Sequence, residues 1–151
     1  MKRTPLRSKT TLKGQKSPRK RRKRSELQKA KDRLWEECKR ITRLRYVKHD
    51  GTWDCFSCGK NIDEPAKAQT GHFIPSSTCS VELRYDLQNL RVQCYNCNIN
   101  KSGNWVEYEK HLKTEMGENF PQKLKDRNET TKGLSYRIDW YEMYIKNYKE
   151  I

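Results

Sequence analysis

No stretch of this chain stays apolar for long. Hydrophobic residues make up 32% of the 151 residues and charged residues 35%, and no run approaches the ~20 apolar residues of a membrane helix. A secretory apolar region is also missing, because the N-terminus is charged almost throughout. An extracellular, disulfide-built protein is therefore disfavoured, and a soluble intracellular one is expected. Acidic residues are missing from residues 1–24, which hold twelve Lys or Arg. The remaining 22 bases face 19 acids, so the net charge of +15 lies mostly in that first segment. Internal repeats are absent. The length fits one domain plus tails, with a core small enough for a bound metal to matter for folding.

The basic segment contains Pro5, Gly14 and Pro18 and almost nothing apolar besides Leu6 and Leu12. Its composition predicts an arm that is disordered until it meets a partner. A polycation of this kind neutralises phosphates and releases counterions, which gives salt-sensitive, sequence-blind binding. Lys20, Arg21, Arg22, Lys23 and Arg24 are the expected DNA contacts. The same run also suits a solvated tail or a nuclear address.

What the chain does have is six cysteines, four of them in two C-x2-C pairs. Cys55 and Cys58 form one pair, Cys94 and Cys97 the other, with 35 residues between them. A structural zinc ion takes four thiolate or imidazole ligands, and a C-x2-C knuckle supplies two from one tight turn. These four are assigned to structural Zn2+. Cys38 fits neither pair and reads as a small buried hydrophobe on a helix; Cys79 has no clear role.

Ser25 reads as an N-cap with Gln28 completing a capping box, opening a helix that runs to about Val47. Some bases on its polar face (Lys29, Arg33, Lys39, Arg40 and Arg43) are candidates for phosphate contact. A strand is expected from Lys67 to His72, and another at Leu90-Arg91-Val92-Gln93, with a loop from Ile74 to Leu87 between them. The second cysteine pair is expected to start a helix. Asn104 then reads as an N-cap, with Trp105, Tyr108, Leu112 and Met116 on one face and Gly117 as the stop. A short helix follows Pro121, and a last one lies within Ser135–Ile151 on Ile138, Tyr141, Ile145 and Tyr148.

A His closing a strand, an Asn in the next strand and a helix starting at a Cys pair match the layout of a ββα-metal nuclease site. Phosphodiester hydrolysis needs a base to activate water and positive charge to meet the phosphate, and a neutral imidazole can take the proton. With Cys55-x-x-Cys58, Gly71-His72-Phe73, Glu82-Leu83-Arg84-Tyr85, Asn89 and the run Gln93 to Asn104, the chain resembles the HNH endonuclease superfamily. Within it, the chain resembles the lambdoid phage NinG (Rap) recombination proteins; the basic start Lys2 to Leu6 is similar too. The resemblance implies an α+β fold with a zinc-bound treble-clef ββα-metal core and flanking helices. It divides the chain into an arm (1–24), an N-terminal helix (25–50), a nuclease core (51–117) and a helical extension (118–151).

By the same resemblance, His72 is the general base and Asn89 the residue that orients it. Asn98 stands at the metal-binding position, so the catalytic set is His72, Asn89 and Asn98. The residue before the base commonly ligates the metal, and here it is Gly71, which has no side chain. Glu82 is the preferred substitute ligand for Mg2+ or Mn2+ beside Asn98, ahead of Asp86 and His111. Lys101 is a further DNA contact. The implied activity is structure-specific cleavage of branched DNA, such as Holliday junctions and D-loops, in the host cytoplasm. The implied partners are a phage recombinase and a second copy of the chain, with no membrane. The alternative is a non-catalytic zinc module that binds DNA or serves recombination as an accessory.

Overall fold

A computed structural model describes residues 23–151. Lys20, Arg21 and Arg22 lie outside the described residues. Among the described residues the chain forms five α-helices and four short strands. They run in the order α1 (Glu26–Tyr46), β1 (Trp53–Asp54), β2 (Asn61–Ile62), β3 (Gln69–His72), α2 (Val81–Tyr85), β4 (Leu90–Gln93), α3 (Trp105–Met116), α4 (Phe120–Thr131) and α5 (Ile138–Lys149). The fold is mixed α+β.

Helix α1 begins where the sequence places it. Ser25 Oγ accepts from the backbone N–H of Gln28 at 3.2 Å. Only half of the expected capping box forms, because the Gln28 amide donates onward to Asp32 at 2.9 Å. Ala30, Leu34, Cys38 and Ile41 form a buried stripe at helical spacing. That stripe packs against Tyr141 and Ile145 of α5 and against Tyr85, Leu87 and Leu90. Trp140, Tyr144 and Tyr148 pack on the same cluster, so the aromatic face of α5 is used inside the chain.

The strands make two antiparallel pairs, β1 with β2 and β3 with β4. In the second, Gly71 pairs with Arg91 and His72 with Leu90. Because side chains alternate along a strand, Thr70 and His72 share one face and Gln69 and Gly71 the other. Trp53, Ile62, Ala68 and Val92 pack with Cys55, Cys94 and Cys97 into a second apolar cluster. A third joins Phe73, Leu83, Tyr108, Leu112 and Leu124. Arg91 is buried in β4, and its guanidinium pairs with Glu115 of α3 at 2.7 Å while also donating to the Leu90 carbonyl at 2.8 Å.

Four local expectations change. The loop between β3 and β4 contains α2, capped by Ser80, whose own N–H donates to Asn128 of α4 at 2.7 Å. The second cysteine pair opens into a single π-helical turn, Asn96–Asn100, and the longer helix starts afresh at Trp105. Asn104 precedes that helix in a left-handed conformation and makes no capping bond with its side chain. Of the expected α3 stripe, Tyr108 and Leu112 are buried, but Trp105 and Met116 are exposed.

Candidate functional site

The four paired cysteines come together. Cys55, Cys58, Cys94 and Cys97 place their sulfurs within 4.8 Å of one another, with Cys58 and Cys94 3.9 Å apart. Tetrahedral Zn–S bonds of about 2.3 Å separate ligand sulfurs by roughly 3.8 Å, so both spacing and donor chemistry fit zinc. The first knuckle closes through Gly59, whose N–H donates to the Cys55 carbonyl at 2.8 Å and whose φ of 69° favours glycine. The second closes through Asn98 N–H on the Cys94 carbonyl at 3.0 Å. Asn104 adds a donor to Cys97 Sγ at 3.6 Å. Cys38 lies elsewhere, in the α1–α5 core, with burial pushing its thiol up to about 12. Cys79 packs against the third cluster, and burial raises its thiol as well.

His72 closes β3 beside a cavity of about 430 Å³, whose walls include Trp35, Thr70, Arg84, Asn98 and Ser102. The imidazole stacks on the Trp35 ring, with centroids 5.1 Å apart and planes at 15°. Its Nε2 lies 3.0 Å from the backbone carbonyl of Arg84. A carbonyl only accepts, so Nε2 carries the hydrogen and Nδ1 keeps a lone pair. Burial lowers the imidazole to about 4; the Arg84 carbonyl opposes the shift and the Arg84 charge adds to it. The ring is therefore neutral at neutral pH. Thr70 Oγ1 is buried beside it with no hydrogen-bond partner among the described residues, and a buried polar atom left over in a cavity is a free contact for a ligand or water.

Asn98 shares this cavity, and its amide donates to Gln69 Oε1 at 2.9 Å, leaving its own carbonyl oxygen free. Asn89 stands one step behind. Its Oδ1 accepts from Ile74 N–H at 2.8 Å, and its Nδ2 donates to the carbonyls of Leu83 at 3.0 Å and Ile74 at 3.2 Å. Asn89 thus ties the loop after His72 to α2, and α2 presents the Arg84 carbonyl to the ring. The direct orienting contact is that carbonyl.

The remaining expected residues do not join the cavity. Glu82 accepts a hydrogen bond from the Tyr136 hydroxyl. Asp86 pairs with Arg127 and caps the short turn before β4 through Gln88 N–H. His111 sits on the Phe56 carbonyl. Lys101 is exposed on the turn after the second knuckle, and Lys23 is exposed before α1. Arg24 pairs with Asp32, and Lys29, Arg33, Lys39 and Arg40 on α1 each have a carboxylate partner.

Trp35, Thr70 and Arg84 are the site residues that sequence reasoning passes over. Thr70 was findable, since it lies two positions before His72 on a strand. Trp35 and Arg84 were not, because both reach the site across tertiary contacts.

A family model described as "Bacteriophage Lambda NinG protein" matches residues 2–151. The chain is 31% identical over 74 residues to Protein ninG of Escherichia phage 933W, an alignment covering 49% of this chain and 35% of the relative. It is 30% identical over 74 residues to Protein ninG of Escherichia phage lambda, with the same coverage. The aligned stretch thus spans about a third of the length of these curated relatives. No solved structure matches. With the family model spanning nearly every residue, from the basic start through both cysteine pairs to the last helix, the chain belongs to the NinG family.

Proposed function

We propose that this protein is a structure-specific DNA endonuclease of HNH type, built on a treble-clef zinc core, that cleaves branched recombination intermediates. One observation carries the reading: the His72 ring lines a polar cavity and is held by the Trp35 stack and by Nε2 on the Arg84 carbonyl, and among the described residues nothing partners its Nδ1. That geometry suits a general base, while a value of about 4 makes the imidazole a weak one at neutral pH. His72 Nδ1 takes a proton from water as the oxygen attacks phosphorus. One P–O bond forms, the opposite P–O bond breaks, and the leaving ester oxygen takes its proton from solvent. The Arg84 guanidinium and the Thr70 hydroxyl meet the charge that grows on the phosphate oxygens. Zinc, held by the four cysteines, supplies rigidity between the two knuckles.

The fit for Mg2+ or Mn2+ is poor. Among the described residues, the walls of this cavity offer the Asn98 carbonyl and hydroxyl groups but no carboxylate, whereas these hard cations are usually held by carboxylates together with phosphate oxygens. Glu109, which lines a smaller cavity on the other side of His72, is paired with Lys125. Glu82 is engaged by Tyr136. Hydrolysis is accordingly assigned to the chain's own side chains. This same shortage supports the second reading, a non-catalytic zinc-dependent DNA-binding or recombination accessory module.

The basic arm would supply general DNA affinity, and branch preference would come from shape. Resolving a four-way junction takes two symmetric cuts, which fits a homodimer; a phage recombinase is the natural protein partner. The deciding experiment is cleavage of a labelled four-way junction beside linear duplex, with Mg2+, with Mn2+ and with neither. Wild type and His72→Ala are compared for cleavage, binding and zinc content. Cutting that His72→Ala abolishes, with binding and zinc kept, establishes the nuclease. Tight junction binding with no cutting in any condition establishes the accessory module.

A further inference from the structure

We infer that Trp105 is a base-stacking side chain that receives an unpaired nucleobase next to the phosphate at His72, and that it supplies the preference for branched over linear DNA. The inference rests on the reading of the His72 cavity as a DNA site.

Trp105 is 62% exposed, and it differs in this from the other three tryptophans. Trp53 is buried and donates its indole N–H to the Arg43 carbonyl at 2.8 Å. Trp35 stacks on His72, and Trp140 stacks on Tyr136 and lies tilted against Tyr144. Among the described residues, no aromatic ring stacks on Trp105 and no acceptor takes its N–H. A lone exposed hydrophobe needs no explanation; here the position provides one.

Two cavities meet at His72. The larger, on the Arg84 side, has the exposed Ile99 on its wall. The smaller, about 230 Å³, runs from His72 to Trp105 and Lys125. A strand whose phosphate sits at His72 therefore has its next nucleotide directed towards the indole. Arg84 on the larger cavity has no carboxylate partner among the described residues and can meet the phosphate. In the smaller cavity Lys125 is paired at 3.2 Å with Glu109, which also lines it, so the contact expected there is a base face rather than a second phosphate.

The backbone sets the ring in place without packing it. Ser102, Gly103 and Asn104 all have positive φ, at 49°, 93° and 47°, a run that is unfavourable for the two non-glycine residues. It is held by Gly103 N–H on the Cys97 carbonyl at 2.9 Å and by the Gln93 amide on the Gly103 carbonyl at 2.6 Å. These bonds fix the start of α3, and with it the position of Trp105, relative to the second knuckle. In linear duplex each base is already stacked, and unstacking one is unfavourable. At a branch point a base face is open, so the same indole gains a stack there without that penalty.

The test is binding of full-length, zinc-loaded protein to a four-way junction and to linear duplex of matched sequence, without Mg2+ or Mn2+. Trp105→Ala is expected to weaken junction binding by about ten- to a hundredfold, the effect of losing one base stack. Duplex binding should change less than about twofold, and Trp105→Phe should retain most junction affinity. A 2-aminopurine placed at the crossover should be quenched by wild type and not by Trp105→Ala. Equal loss on both DNAs, or no loss on either, overturns the inference. So does a Trp105→Ala protein that binds DNA normally but changes its self-association on a sizing column. The two readings also fail separately. His72-dependent cutting with a neutral Trp105→Ala removes only the stacking role. Selective loss of junction affinity in a protein that never cuts removes only the nuclease.

Discussion

The Gln93 side chain fills the space that a β-carbon on Gly71 would occupy: the two would lie 1.9 Å apart at Gln93 Oε1. The amide cannot swing away freely, because its nitrogen donates to Ser57 Oγ and to the Gly103 carbonyl, both at 2.6 Å. Through these bonds Gln93 links the first knuckle to the turn that follows the second. Gly71 is small because this bridge lies over it, and its φ is not positive.

Gly71→Ala should therefore destabilise the protein by about 1–3 kcal/mol, the usual range for overpacking. In a Gln93→Ala background the same change should do much less harm. A double-mutant cycle by denaturant unfolding reads the coupling; strict additivity would show that the two side chains do not compete for space.

Removing zinc should unfold the region around the knuckles. Structural zinc contributes about 10–16 kcal/mol of apparent binding energy in small zinc modules, comparable to the whole stability of a domain. Cys97→Ser or chelation should reduce the near-ultraviolet circular dichroism signal, with the loss coming from aromatics packed near the knuckles such as Trp53 and Tyr46. Cys79→Ser should keep one zinc per chain by metal analysis, because Cys79 lies outside the four-sulfur cluster.

The depressed His72 imidazole makes a signed prediction about pH. Its native value is about 4 against 6.5 unperturbed, so between those values the unfolded chain binds more protons than the folded one. Stability should be full above pH 6.5 and decline as pH falls towards 4. His72→Gln should flatten that slope in unfolding measured at stepped pH. Cleavage should likewise persist below pH 6.5, since the base stays unprotonated.

Asn89→Ala strips partners from buried backbone groups at Ile74 and Leu83, and each such loss is unfavourable by about 1–3 kcal/mol. Asn89→Asp should be worse, because a carboxylate would face two carbonyl oxygens. Both should lower melting temperature and cleavage together.

Arg84→Ala should separate those two readouts. The side chain is exposed, so stability should hold within about 0.5 kcal/mol, and the carbonyl that holds His72 remains. Loss of cleavage with an unchanged melting temperature would identify the guanidinium as the phosphate contact. Unchanged cleavage would remove it from the site.

Some of this was legible in the chain itself. The Cys-x2-Cys pairs, the Ser25 cap, the α1 stripe and the strand Leu90–Gln93 are local patterns, written by turn geometry, capping and periodicity within a few residues. They are enough to place the four-cysteine cluster and to put His72 at a strand end. Helix α2 escaped notice because five residues show too little periodicity, and its cap depends on Asn128, far along the chain. With it went the Arg84 carbonyl that orients His72. The Trp35 stack, the Gly71–Gln93 overlap, the Glu82–Tyr136 bond and the exposure of Trp105 were likewise hidden. Each depends on which groups from distant parts of the chain approach within a few ångströms, and close packing settles that only once the helices and strands have docked.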